Sequence, residues 1–333
     1  MNIIAINKNK LMGIKHLNKY LYEKCGNKSI TNMHLRNLSG KTLVIDTSIY
    51  LYQFLGENAL LENMYLFISI MLLYEIRPIF IFDGKPPPEK HDLLRKRSSD
   101  KRDARSKYNE LEKLLKNATK EEKKKILYEM NQLKRQFVRI TNEHIENVKQ
   151  LMEAFNVTYY NSPNEADELC VYLVKTGKAW GCVSDDMDMF VYGCPFVLRN
   201  LSLLKHTITV YDTSKILSEL DLSEKQFCEI MTISGTDYNI HSATSLSETL
   251  QLHKEYTIYN KQSNDKPHEF YIWLLKNTKY INNYRELMEI FKIFQCCNFN
   301  TYDNIDLNTI PIINKPNTDM IHKIMKKEGF VFI

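Results

Sequence analysis

The sequence lacks any apolar run of the roughly 18 residues that crosses a bilayer. Its nearest candidate, MYLFISIMLLY at residues 64–74, is too short and reads as a buried helix. The first ten residues, MNIIAINKNK, contain neither the apolar stretch nor the small-residue cleavage site of a signal peptide, so secretion is not expected. Seven cysteines, an odd number with no zinc-like spacing beyond the adjacent Cys296 and Cys297, argue against a disulfide framework and for a reducing compartment. No Ser/His/Asp or Cys/His arrangement stands out, and there is no internal repeat or low-complexity tract. At 333 residues, 44% of them apolar, the chain can bury one large core or two smaller ones.

What the chain does have is carboxylates in five short motifs. Asp46 closes LVID, Asp83 follows FIF, Glu165 and Asp167 lie in SPNEADE, and Asp186, Asp188 and Asp237 lie in VSDDMD and SGTD. Several of these follow hydrophobic runs, and open α/β sheets place ligands at the carboxyl ends of their strands. An aspartate closing a strand is commonly a helix N-cap or turn residue. Seven together are a different matter, because close carboxylates raise one another's pKa unless a cation neutralises them. None of the nine histidines falls in these motifs, and an all-oxygen set suits Mg²⁺ or Mn²⁺ better than zinc. The pattern is that of a two-metal phosphodiesterase.

The formal charge of +5 is unevenly spread. Residues 85–149 hold 19 Lys or Arg against 11 Asp or Glu, a local excess of eight positive charges, so the remainder sums to about −3. Basic blocks such as RKRSSDKRDARSK are ordinarily solvated helix faces. Beside a carboxylate site they also form the approach surface that a polyanionic substrate needs.

Apolar runs at 42–45, 78–82, 157–160, 179–183 and 196–198 predict strands. Residues 89–155 read as helical, with two amphipathic helices meeting around 117–119. The expected architecture is a parallel α/β sheet with a long helical insertion between its second and third strands.

MGIKHL, VIDTSIYLYQFL, FDGKPPPEKHDLLRKR, SPNEADELC, VSDDMDMFVYG and SGTDY occur in one order between Met12 and Tyr238, and the similarity runs to about Phe332. In these motifs the sequence resembles the xeroderma pigmentosum G-like superfamily of structure-specific 5′ nucleases, the flap endonucleases and 5′ exonucleases, and among them the replicative flap endonucleases most closely. The resemblance implies a PIN-like fold: a central, mostly parallel, twisted sheet flanked by helices, with a basic helical arch inserted above the active site. It implies an N-terminal extension over 1–11 and a single nuclease domain over 12–333. Within that domain it gives an N-terminal nuclease region at 12–116, an arch at about 88–140, an internal region at 141–260 and a helical part at 261–333.

By the same resemblance the chain hydrolyses DNA at 5′ flaps in replication, repair or recombination, with two Mg²⁺ per site and Mn²⁺ as a substitute. Asp83, Glu165 and Asp167 then bind chiefly the first metal and Asp186 and Asp188 the second, with Asp46 and Asp237 acting directly or through water. Lys90 and Arg97 act on the scissile phosphate, and their seven-residue spacing puts both on one helix face. Tyr52 stacks on the base beside the cleaved bond, although a core tyrosine is an equal alternative and Tyr50 offers it. Arg95, Lys96, Arg102, Lys134 and Arg135 are expected DNA contacts, and Gly13 is expected beside the site. The expected partners are DNA with a 5′ flap, nick or gap and no membrane. The chain is expected to be a monomer inside the cell, in the nucleus or in a viral or cytoplasmic replication compartment.

Departures from the family pattern keep alternatives open. The acidic pair is Glu-Ala-Asp, as in the 5′ exonuclease branch, where flap endonucleases usually have Glu-Ala-Glu. After SGTDY the usual Gly-Ile-Gly hairpin is missing, leaving Ser242 and Thr244 as possible helix caps and Lys254 as a charge. No clamp-binding tail follows PNTDMIHKIMKKEGFVFI, so recruitment by a sliding clamp through such a motif is not expected. A double-strand 5′-3′ exonuclease, a catalytically silent junction binder, and a metal-dependent phosphatase or RNase on the same type of sheet remain alternatives.

Overall fold

The computed structural model describes residues 14–239, 244–262, 269–281, 283–295, 302 and 315–332, so Gly13 and Ser242 lie outside the described residues. Seven strands form: β1 (Ile30–His34), β2 (Thr42–Asp46), β3 (Arg77–Phe82), β4 (Thr158–Asn161), β5 (Gly181–Val183), β6 (Phe196–Ser202) and β7 (Thr207–Asp212). The chain divides into two compact units. Unit I comprises the described residues within 1–34, 167–202 and 207–308, and unit II those within 35–166, 203–206 and 309–333.

In unit II, β2, β3 and β4 pair in parallel, with Asp46 opposite Ile81 and Ile81 opposite Tyr160. Leu43, Val44, Ile45, Phe80 and Ile81 are all fully buried, as expected for parallel strands covered on both faces. The helix Leu60–Leu73 buries Met64, Phe67, Ile68 and Met71, the i, i+3, i+4, i+7 stripe of a core-facing helix. Phe67 is the hub of this layer. Its ring centroid lies 4.9 Å from that of Tyr50 and 5.7 Å from that of Phe80, joining the helix Thr47–Gly56 to β3.

The insertion between β3 and β4 is helical, as the sequence predicts. It comprises His91–Leu115, Lys120–Gln136 and Asn142–Ala154. The break falls at the predicted place because Thr119 and Glu122 form a reciprocal capping box that starts the second helix. Leu93 and Ala104 of the first helix and Met130 and Leu133 of the second are buried, and the other faces are charged.

In unit I, β5 and β6 are parallel, whereas β6–β7 and β7–β1 are antiparallel. Two of these strands go beyond the prediction. β1, ITNMH, is too polar to signal a strand and forms because it lies along β7. β7, TITVYD, is rich in β-branched residues but is not among the strands predicted above. Seven strands flanked by helices, with parallel pairs predominating over antiparallel ones, give the α/β class that was expected. Among the described residues no helix is long and apolar enough to cross a membrane.

Unit I also buries His253 of the helix Leu246–Gln262, edge-on to Phe270 at 5.0 Å. Burial pushes its imidazole below the ordinary value. The folded chain therefore holds His253 neutral, and unfolding takes up a proton once the pH drops below about 6.5. Stability is expected to fall on acidification through that range, and His253→Gln to flatten this part of the slope, as read from urea midpoints at pH 7.5 and 5.5.

Candidate active site

Parallel pairing puts the carboxyl ends of β2, β3 and β4 side by side, and unit II builds its half of the candidate residues there. Asp46 is the last residue of β2 and takes the N-cap position of the helix Thr47–Gly56, yet its side chain makes no capping hydrogen bond. Helix capping therefore does not explain this buried carboxylate. Asp83 follows β3, and its Oδ1 accepts the Ala166 N–H at 2.8 Å, at the start of the helix Ala166–Lys175. An anion suits this position, because the first N–H groups of a helix have no partner within it.

The loops after β3 and β4 are laced together. The Gly84 N–H donates to Asn164 O at 2.7 Å, the Ser162 N–H to Phe82 O at 2.8 Å, and Ser162 Oγ to Glu165 O at 2.9 Å. Gly84 makes this approach possible. A Cβ there would lie 2.6 Å from Pro163 O and 2.7 Å from Pro163 C, and would overlap Ser162 O.

Lys90 does not project to solvent. Its Nζ lies 2.7 Å from Glu165 Oε2, with the two side chains 7% and 17% exposed. Lys90 closes the one-turn helix Pro88–Lys90 and caps His91–Leu115 from outside, so the simple two-turn relation to Arg97 does not apply. Arg97 is half-buried on the long helix. Tyr52 resolves the choice left open by the sequence, since Tyr50 is 2% exposed and Tyr52 46%. Partial burial raises the Tyr52 phenol, the nearby Asp83 charge raises it further, and Arg97 opposes them. Asp83 and Arg97 thus both lie within electrostatic reach of Tyr52. Lys101, which the sequence reading passed over, holds its Nζ 4.9 Å from the Tyr52 ring centroid. Its position one turn after Arg97 was the available signal. Arg95, Lys96, Arg102, Lys134 and Arg135 are exposed on the two long helices.

In unit I, Asp167, Asp186, Asp188 and Asp237 are all buried. Asp186 and Asp188 form a local pair beyond the carboxyl end of β5. The Asp186 N–H donates to Ser184 Oγ at 3.1 Å, and the Asp188 N–H donates to Asp186 Oδ1 at 2.9 Å. Asp167 lies near the fully buried Tyr192, whose phenol is held well above its usual range by burial, by Tyr238 and by Asp167. Tyr192 and Tyr238 hydroxyls are 3.0 Å apart, tying the residue after Asp237 to this layer.

The loop around Asp237 is stitched by Asn239. Asn239 Oδ1 accepts from Thr236 Oγ1 at 2.9 Å, and its Nδ2 donates to Thr232 O at 2.7 Å. Thr244 reaches back to the helix Glu224–Ile233. Its hydroxyl donates to Ile233 O, and Ser245 Oγ accepts the Glu248 N–H at 3.4 Å.

Among the described residues no three His, Cys, Asp or Glu side chains are drawn together closely enough to hold an ion on their own. The donor set nevertheless fits a hard cation. It is made of carboxylate oxygen, without imidazole or thiolate, and four of its members in unit I are buried, where ionised groups need a counter-charge.

Comparison with known proteins is consistent with this chemistry. Residues 12–104 match the XPG N-terminal domain and residues 156–237 the XPG I-region. The chain is 32% identical over 246 residues to Flap endonuclease 1 of Glycine max, a match covering 68% of this chain and 62% of that protein. For Flap endonuclease 1 of Saccharomyces cerevisiae (strain YJM789) the identity is 34%, covering 68% and 61%. The match therefore spans a little under two thirds of the length of these relatives. Among solved structures, the catalytic core of Rad2 in complex with DNA substrate superposes with a TM-score of 0.67 at 21% identity, covering 96% of each chain. Flap endonuclease-1 from Methanococcus jannaschii gives a TM-score of 0.54 at 20% identity, covering 90% of this chain and 97% of that one. These two likenesses establish the PIN-like 5′-nuclease fold.

Gly84→Ala tests the lacing of the two loops. The added methyl has no flexible side chain to displace, only backbone, and is expected to lower stability by about 1–3 kcal/mol, as overpacking does. Chemical denaturation measures this, and limited proteolysis is expected to open the chain first near residues 84–90 or 162–165.

Proposed function

The chain belongs to the XPG-like flap endonuclease family, and from that premise we propose that it is a structure-specific 5′ nuclease hydrolysing DNA phosphodiesters at 5′ flaps, in replication, repair or recombination. The observation that carries the reading is the burial of Asp167, Asp186, Asp188 and Asp237 to 9% exposure or less. Four buried carboxylates in one unit call for counter-charge, which divalent cations would supply.

Two Mg²⁺, or Mn²⁺ in their place, would be held by Asp83, Glu165 and Asp167 chiefly at one position and Asp186 and Asp188 at the other, with Asp46 and Asp237 supporting. When bound they supply an activated water and charge neutralisation at the leaving 3′ oxygen. Lys90 is poised on Glu165 and Arg97 is half-buried nearby on the same helical insertion. Both offer cationic donors to the nonbridging oxygens of the scissile phosphate, where negative charge develops.

Tyr52 presents an exposed ring for stacking an unpaired base. The helices His91–Leu115 and Lys120–Gln136 form the arch over about residues 88–140, where Arg95, Lys96, Arg102, Lys134 and Arg135 meet phosphates. The chain is taken as a monomer acting on flapped, nicked or gapped DNA inside the cell, in a nuclear or cytoplasmic replication compartment.

One residue favours a second reading. Asp167 makes the acidic pair Glu-Ala-Asp, which points to a double-strand 5′-3′ exonuclease of the same superfamily.

Cleavage of a 5′-labelled double-flap DNA with Mg²⁺, beside a nicked duplex and an Asp186→Ala control, decides between them. Release of an intact flap oligonucleotide, lost in the control, is the expected result. Mononucleotides from the nick would establish the exonuclease, and tight binding without product from either DNA would establish a silent junction binder.

Tyr52→Ala is expected to weaken reaction of the flap substrate about 5- to 150-fold, the equivalent of about 1–3 kcal/mol of lost base stacking. Tyr52→Phe should retain most activity, as read from single-turnover rates.

A further inference from the structure

We infer that Arg199 is a positioning residue for the proposed metal site, fixing the backbone that aims Asp186 and Asp188 before any cation arrives. The inference rests on the reading of those carboxylates as metal ligands. Arg199 lies on β6 with its side chain 7% exposed. Its Nη2 donates to Asp185 O at 2.8 Å, its Nη1 donates to Asn18 Oδ1 at 2.9 Å, and its Nε lies 3.9 Å from Asp185 Oδ1. The next residue, Asn200, adopts a left-handed conformation (φ 54°) and donates its N–H to Asp185 Oδ1 at 2.9 Å. Asp185 is therefore held by both its main-chain and its side-chain oxygens.

The clamp passes directly to the carboxylates. Asp185 O belongs to the peptide bond that leads into Asp186, so fixing it fixes the plane from which the Asp186 side chain departs. On the other side, the Ser184 N–H donates to Leu198 O at 3.1 Å, and Ser184 Oγ accepts the Asp186 N–H. Asp186 Oδ1 is then committed to the Asp188 N–H at 2.9 Å, which orients the carboxylate and starts the short helix Asp188–Val191. Each link from Arg199 to Asp188 is thus one hydrogen bond or one peptide.

Charge argues the same way. A buried guanidinium beside a cation site would repel the cation, but Asp185 cancels that charge locally while leaving the donors in place. The planar fork also matters, because it spans Asp185 O and Asn18 Oδ1 at once, which an ammonium does not. Asn18 Oδ1 accepts from Tyr211 Oη at 2.8 Å as well, so the fork is braced by the helix Leu17–Lys24 and by β7.

The competing explanation is that Arg199 merely ties β6 to the helix Leu17–Lys24. Mn²⁺ binding to the DNA-free protein, by electron paramagnetic resonance or calorimetry well below the melting temperature, separates the two, with Arg199→Met, Asn18→Ala and Asp186→Ala compared. Arg199→Met is expected to weaken Mn²⁺ binding about 10- to 100-fold, as the loss of partners that orient metal ligands does. Asn18→Ala, which leaves the Arg199 bond to Asp185 O in place, is expected to lower the melting temperature and to weaken Mn²⁺ binding much less than Arg199→Met. If Arg199→Met does not fold, Arg199→Lys is read in its place, and it too is expected to bind Mn²⁺ more weakly than the wild type.

Wild-type binding that is lost in Asp186→Ala but unchanged in the Arg199 variant would overturn this inference alone, as would equal weakening by Asn18→Ala. Absence of Asp186-dependent Mn²⁺ binding in the wild type would overturn the proposed function with it.

Discussion

Carboxylates placed together repel, and much of the local structure around the candidate site answers that repulsion. Two unit charges about 4 Å apart interact by about 4 kcal/mol at an effective dielectric of 20. A hydrogen bond to a charged group returns about 1.5–3 kcal/mol. The chain uses such bonds where it can: Asp83 takes the Ala166 N–H, Asp186 takes the Asp188 N–H, and Glu165 takes the Lys90 ammonium. Where two ionised carboxylates lie that close, one such donor offsets only part of the repulsion, which leaves a role for divalent charge.

The same constraint explains features that have no chemical role of their own. Gly84 is needed because the loops after β3 and β4 approach to main-chain contact, and that approach sets Asp83 and Glu165. Arg199 is needed because an aspartate pair in a short loop is directed only as well as the peptide that carries it. The basic helical hairpin offers the complementary sign: its cationic side chains are exposed, apart from Lys90, which is buried against a carboxylate, and Arg97 and Lys101, which are half-buried near Tyr52. A side chain that neutralises Glu165 and one that meets phosphate need not be different side chains.

Much of the fold was legible because its signals are local. The buried parallel strands are continuous apolar runs, and the arch helices are amphipathic and broken where Thr119 supplies a capping box. β1 was not legible, because ITNMH is a strand only by virtue of its partner, and β7, which pairs with both β1 and β6, was passed over with it. The acceptor of the Thr244 hydroxyl, Ile233 O at the end of the helix Glu224–Ile233, could not be read from residue type either, because it lies eleven residues away in the chain.

The sequence by itself determined the chemistry on offer: seven carboxylates without histidine, most of them at or just beyond strand ends, a basic helical segment, and family motifs in register. These are properties of residue type and short-range order, which survive without knowledge of partners. Tertiary structure decided which of Tyr50 and Tyr52 faces solvent, that Lys90 is buried against Glu165, and that Arg199 governs the backbone at Asp185. Each of these depends on contacts between residues distant in the chain, and the distances that fix them exist only once the strands have paired.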